Sequence, residues 1–288
     1  MSFAPRTEGR RPPPDSCRRA ASGAGRLVRR IPFTAALLLT FALPGRAADD
    51  PLAKARLLYN QQLFDEAVNA AEEARQIPAR ADEADLVAAR AYLERFRDSA
   101  AADDLTNARD RLRRLDPQRF GPVERAEYIV GLGEALYFDN AFGAAAEVFE
   151  SALRNGDLTG AARERVIDWW ATAIDRDTRP RPEMDRPAVY QLLRAKLEQE
   201  LASHPGSGAA AYWLAAAARA QGDLQGAWDA AEAGWVRAPL MADHGVQLRA
   251  DLDRLMQRLI IPDRSKVVVQ SQESLRLQWE EFKTRWSK

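Results

Sequence analysis

The chain has 288 residues, with 42 Lys and Arg against 42 Asp and Glu, two histidines and one cysteine. That length is ample for a buried core, and a lone Cys17 excludes an internal disulfide framework and a cysteine-based zinc site. No segment alternates with period two for long, so the sequence predicts helices and almost no sheet.

Residues 1–47 read as a leader. Arg29 and Arg30 precede an apolar run from Ile31 to Leu43, and Gly45-Arg46-Ala47 supplies the small residues of a cut after Ala47. The run is too short for a membrane span, which needs about 20 residues. No Cys follows it to take a lipid, so a Sec signal peptide and a periplasmic or secreted protein without a stable membrane span are expected. The stretch before the run is long, and Val28 is an alternative start to Met1. The leader holds nine arginines against Glu8 and Asp15, so residues 48–288 carry 33 basic and 40 acidic side chains. An acidic mature chain argues against nucleic acid as a partner.

From Pro51 onward the same helical spacing recurs. Ile129, Leu132, Gly133 and Leu136 fit a hydrophobic, x2, Leu-small, x2, hydrophobic pattern, with Ala145 and Phe149 where a second antiparallel helix would carry them. Ala211, Leu214, Ala215 and Ala218 repeat it, followed by Gly222, Ala227, Ala231 and Pro239. Fainter copies lie at Ala55 and Leu58 with Phe64 and Ala67, at Ala88, Ala89 and Tyr92, and at Ile167, Trp170, Ala171 and Ile174. In these residues the chain resembles the tetratricopeptide repeat family. The small markers Ala55, Ala89, Gly133, Ala171 and Ala215 are 34, 44, 38 and 44 residues apart. The family period is about 34, so the excess predicts a longer turn near Arg97 to Asp103 and an insertion from Asp177 to Arg186. Pro51, Pro122 and Pro187 suit first helical turns, whereas Pro78, Pro117, Pro205 and Pro239 end helices.

The resemblance implies an all-α, right-handed superhelical solenoid of antiparallel helix pairs. Some five repeats would span 48–242, and 243–288 would hold a capping and a tail helix. In such proteins the first helices line a concave groove. Carried onto this sequence, the groove takes Arg90, Glu94, Glu127, Val130, Glu134, Tyr137, Phe138, Arg165, Asp168, Trp169, Thr172, Arg176, Tyr212, Trp213 and Arg219. Tyr137, Phe138, Trp169, Tyr212 and Trp213 would make an aromatic strip flanked by Arg and Glu, the side chains that anchor binding hot spots. These aromatics either face the groove or pack between neighbouring helices.

The last segment carries Leu275, Trp279, Phe282 and Trp286 at steps of four, three and four, one apolar face of a helix. That helix docks on the body, on a second copy or on a membrane surface. His204 and His244 form no metal-ligand spacing, acidic pairs such as Glu72-Glu73 and Glu280-Glu281 point apart on a helix, and no phosphate loop or nucleophile elbow is present. The sequence therefore predicts a non-enzymatic adaptor of the cell envelope that binds a protein or peptide, with no metal or cofactor. Two further readings stay open: a cell-wall binding protein or enzyme accessory subunit, in which Glu134 and Asp168 would matter, and a structural protein that self-associates through its last helix.

Overall fold

The computed structural model describes residues 50–287 apart from Asn155 and Asp157, so the expected leader and Cys17 lie outside the described residues. Among those described there is no strand. The helices in chain order are α1 (Pro51–Asn60), α2 (Phe64–Arg75), α3 (Ala81–Ser99), α4 (Ala102–Leu112), α5 (Pro122–Phe138), α6 (Phe142–Arg154) and α7 (Gly160–Thr178). They continue as α8 (Arg186–Ser203), α9 (Gly208–Gln221), α10 (Leu224–Arg237), α11 (Val246–Leu255), the four-residue α12 (Ile261–Arg264) and α13 (Gln272–Trp286). A π turn over Met256–Ile260 joins α11 to α12.

Local chemistry sets many of these boundaries. Asp50 accepts from the Leu52 N–H at 3.0 Å beside Pro51 at N1, and Ser207, Asp223 and Ser271 cap α9, α10 and α13. Gly222, with φ of 91°, ends α9 in the left-handed conformation that glycine adopts without cost. Pro78, Pro117 and Pro239 each sit in a short 3-10 turn just after a helix.

Each helix from α1 to α10 packs on the next in the chain, α12 packs on α13, and the odd-numbered helices α1, α3, α5, α7, α9 and α11 also lie side by side. The protein is thus an all-α stack of sequential helix pairs, in which the first helices share one face. The small markers explain how the helices approach. Ala55, Ala89, Ala171 and Ala215 are fully buried, and a Cβ on Gly133 would come within 2.5 Å of the Phe149 ring. Apolar bulk beside them, including Phe149, Ile167, Trp170 and Leu197, fills the space between helices.

One expected insertion is placed differently. The turn between α3 and α4 is only Ala100 and Ala101, because α3 itself runs for 19 residues to Ser99, and Ala100 turns the chain with φ of 56°. The extra length of that repeat lies in α3 and in the connection 113–121. The other falls where proline predicts it, between Thr178 and Arg186. There α7 and α8 are held by a buried hydrogen bond, Tyr190 Oη to Asp175 Oδ1 at 2.9 Å.

At the C-terminal end α11 packs on α9 and α10, and α13 folds back onto α10. Leu275 and Trp279 are fully buried. The Trp279 ring lies 5.4 Å from Trp235 and 6.3 Å from Trp228, edge to face, and stacks on Phe282 at 5.7 Å. Its indole N–H donates to Asp253 at 2.8 Å, which also receives Lys283 at 2.7 Å. Trp286, at the end of the same stripe, is exposed.

Candidate binding groove

The first-helix face carries a polar floor. On α3, Glu94 accepts from the Tyr59 hydroxyl of α1 at 3.3 Å and pairs with Arg97 at 2.6 Å and with Arg165 of α7 at 3.5 Å. Arg90 lies over the Tyr59 ring at 5.0 Å and pairs with Glu127 of α5 at 3.6 Å. Glu134, one helical face further along α5, is only 2% exposed, and its Oε2 has no hydrogen-bond partner among the described residues.

Burial decides the protonation of this group. It pushes the Glu134 carboxyl up to about 7 against the opposing pull of Arg90, and it pushes the Tyr59 phenol up to about 12. For Arg90 burial works toward a lower value, but Tyr59, Glu134, Glu127 and Glu94 around it outweigh that and hold it above its usual range. Glu134 Oε2 and Glu94 Oε2 are both closed to solvent, and Glu94, through Tyr59 and Arg165, links α3 to α1 and α7.

The aromatic residues fall into two half-buried groups. Tyr137, Phe138 and Trp169 form the first: Trp169 meets Tyr137 at 4.7 Å and Phe138 at 5.6 Å edge-on and stacks on the buried Phe149 at 6.1 Å, while Phe96 abuts Phe138 at 4.9 Å. These rings wedge α3, α5, α6 and α7 together. Tyr212 and Trp213 of α9 form the second, with ring centres 5.7 Å apart. The Trp213 indole N–H donates to Asp168 Oδ1 at 2.8 Å, which links α9 to α7. Val130 is buried, Thr172 is half-buried and Arg176 is exposed. Arg219 is tied to Asp263 by two hydrogen bonds of 2.9 and 2.6 Å, which fasten α9 to α12.

Beyond Arg165 the first-helix face opens into a cleft of about 1030 Å³ at the N-terminal ends of α7, α9 and α11. Its floor includes Tyr212, Met241 and Leu248, and its walls include the chain from Ser203 to Ala209. Four carboxylates line it: Glu164, Asp168, Asp243 and Asp251. Glu164 accepts from the Ala209 N–H at 2.9 Å, and Asp243 accepts from the N–H groups of Gly245 and Gln247, both at 2.9 Å. Those two backbone bonds hold the Asp243 carboxyl below its usual range. Asp251 pairs with Arg254. Of the cleft's arginines, Arg163 is committed to Glu200 through bonds of 2.8 and 2.7 Å, and Arg165 reaches toward Glu94.

The sequence pattern brought Asp168, Arg165 and Tyr212 to this cleft and missed Glu164, Asp243 and Asp251. Glu164 and Asp168 are one turn apart on α7, and like charges at that spacing disfavour a helix, which is the signal that marks them. Asp243 stands two residues before Gly245, a cap pattern readable from sequence once α11 is seen as another first helix. No protein-family model matches this sequence, and no curated protein matches it.

Proposed function

We propose that this chain is a divergent, exported member of the tetratricopeptide class that binds a protein or peptide on its first-helix face and performs no chemistry of its own. The observation carrying this reading is the open cleft between α7, α9 and α11. It is large enough to take a run of side chains, and it combines an apolar floor with fixed polar groups, as recognition sites do. Its polar groups are held by backbone and indole donors, so it is formed before a ligand arrives. The proposed role in the cell envelope rests on the leader that the sequence leads us to expect over 1–47. No helix among the described residues is long and apolar enough to cross a membrane.

The test is affinity capture by the tagged chain from its native envelope, run beside Tyr212→Ala. Tyr212 is half-buried in the cleft and makes no hydrogen bond among the described residues, so its loss should spare the fold. The expected result is a partner held by the wild type and lost by a variant with an unchanged melting temperature. Identical captures from the two proteins would remove the reading.

A further inference from the structure

A second cavity, of about 360 Å³, lies between α6, α7 and α8 and shares Arg163, Ser203 and His204 with the wall of the cleft. We infer that it is a binding site for a small organic anion, an apolar body carrying a carboxylate or sulfonate head, and that it works independently of what the cleft holds. Its volume falls in the range of small-molecule sites, roughly 300–1,000 Å³. Local sequence opens the gap. Trp170 stands at the leucine position of the repeat pattern, and α8, which follows α7 only after the chain between Thr178 and Arg186, packs closely on α9 and loosely on α7. Leu153, Ile167, Trp170 and Leu197 give the gap apolar walls. Polar clasps pin its three helices. Arg163 of α7 donates to both Glu200 oxygens of α8 at 2.8 and 2.7 Å and to the Leu153 carbonyl of α6 at 3.1 Å. Lys196 of α8 reaches Glu150 of α6 at 2.6 Å, with its ammonium 5.8 Å from the Trp170 ring centre. The site is thus formed before a ligand arrives.

Two observations set the charge of the ligand. Trp170 is only 4% exposed, and its indole N–H has no acceptor among the described residues. A buried donor left without an acceptor is unfavourable, and a ligand oxygen relieves it. The lining also carries Arg154, Arg163 and Lys196 against Glu150 and Glu200, in a chain whose residues 48–288 are acidic overall. Arg163 pairs with Glu200 and Lys196 with Glu150, and His204 Nδ1 also faces Glu200, at 2.9 Å. Arg154 is exposed, and no ion pair among the described residues engages it, so the surplus positive charge is its own. An oxyanion head has Arg154 to pair with and an acceptor to offer the indole, while its apolar body covers Ile167 and Leu197. A cationic ligand would meet three basic side chains and no carboxylate that is not already paired.

The experiment is fluorescence titration of the full chain with anilinonaphthalene sulfonate, followed by displacement of the dye with naphthylacetate and with the cation naphthylmethylamine. The dye should bind, naphthylacetate should displace it, and the amine at the same concentration should not. Arg154→Gln removes the surplus charge and should weaken naphthylacetate about tenfold, the loss of one charge-assisted contact. Trp170→Phe keeps an aromatic ring and removes the donor, and should weaken it by about threefold or more. The controls are Arg176→Gln, which removes an exposed arginine elsewhere on α7, and Tyr212→Ala in the cleft. Both should bind as the wild type does. If Trp170→Phe melts early, the comparison of Arg154→Gln with Arg176→Gln decides alone, since both positions are exposed. Failure of the dye to bind, equal displacement by the anion and the amine, or equal affinities in Arg154→Gln and Arg176→Gln overturns the inference. Loss of dye binding in Tyr212→Ala with none in Arg154→Gln overturns it too, by moving the dye to the cleft.

Discussion

Glu134 shows how a single buried carboxyl ties pH to this fold. Its value in the folded chain is pushed up to about 7, above that of an exposed glutamate, chiefly by burial. Between the two values the folded state keeps a proton that the unfolded chain has released. Stability from this group is therefore full below the unfolded value near 4.5, falls as pH rises toward 7, and is absent above it. Glu134→Gln removes that titration. The variant should match the wild type at pH 5 and exceed it at pH 8 by on the order of 1–3 kcal/mol in urea unfolding. A wild-type loss between those pH values that persists in the variant would assign the effect to another group. Asp243 carries the opposite sign: its carboxyl is held low by the N–H groups of Gly245 and Gln247, so it favours the folded chain above the unfolded value and ceases to do so in acid. The two effects act in different pH ranges and can be separated by Asp243→Asn.

Helix pairs depend on a few contacts that tolerate no change. Gly133 of α5 faces Phe149 of α6 so closely that an added methyl would sit 2.5 to 2.9 Å from three ring atoms, and that ring is fully buried. Gly133→Ala gains about 1 kcal/mol of helix propensity and should still lose about 1–3 kcal/mol net through overpacking, read as a lower denaturation midpoint. Adding Phe149→Leu should recover part of it, and a neutral Gly133→Ala would mean that α5 and α6 slide apart freely. The small residues at Ala55, Ala89, Gly133, Ala171 and Ala215 were legible because close crossing demands them at a fixed spacing. The length of α3 was not, since nothing in Arg97 to Asp103 signals that the helix persists to Ser99 and turns at a left-handed alanine. The cleft was legible only in part: Asp168 and Tyr212 follow from helix phase, whereas Asp243 and Asp251 required α11 to be seen packed beside α9. At α13, phase placed Leu275, Trp279, Phe282 and Trp286 on one face, and only the packed structure shows that Trp228, Trp235 and Asp253 receive it. Trp279→Ala should cost about 3–5 kcal/mol, and dye binding should report the uncovered indoles; a much smaller loss would mean that α13 lies on the body without supporting it.

Across the whole molecule the cohesion changes character from one end to the other. From Ala126 to Trp279 a single apolar cluster runs through Phe149, Trp170, Trp228, Trp235 and Trp279. The clusters that hold α1 and α2 against α3 are small and dominated by alanine, with Leu52, Val68 and Val87 as their larger buried members. Less apolar area is removed from water there, so burial contributes less to stability. Ion pairs are dense in the same region: Asp85 holds Arg75 at 3.3 Å and Arg111 at 2.5 Å, Arg95 joins Asp65 and Asp104 at 3.1 Å each, and Arg56 reaches Glu83 at 3.3 Å and Glu124 at 3.1 Å. In a stack where each element leans on its neighbours, the end with the weaker interfaces opens first. Amide hydrogen exchange should accordingly be faster in α1 and α2 than in α7, α9 and α10. Raising KCl to about 1 M shortens the screening length to about 3 Å, so it should accelerate exchange in α1 and α2 and leave the tryptophan-bound helices nearly unchanged. Uniform exchange that ignores salt would show that the stack opens as one cooperative unit and that the pairs around Arg56 and Arg95 add nothing measurable.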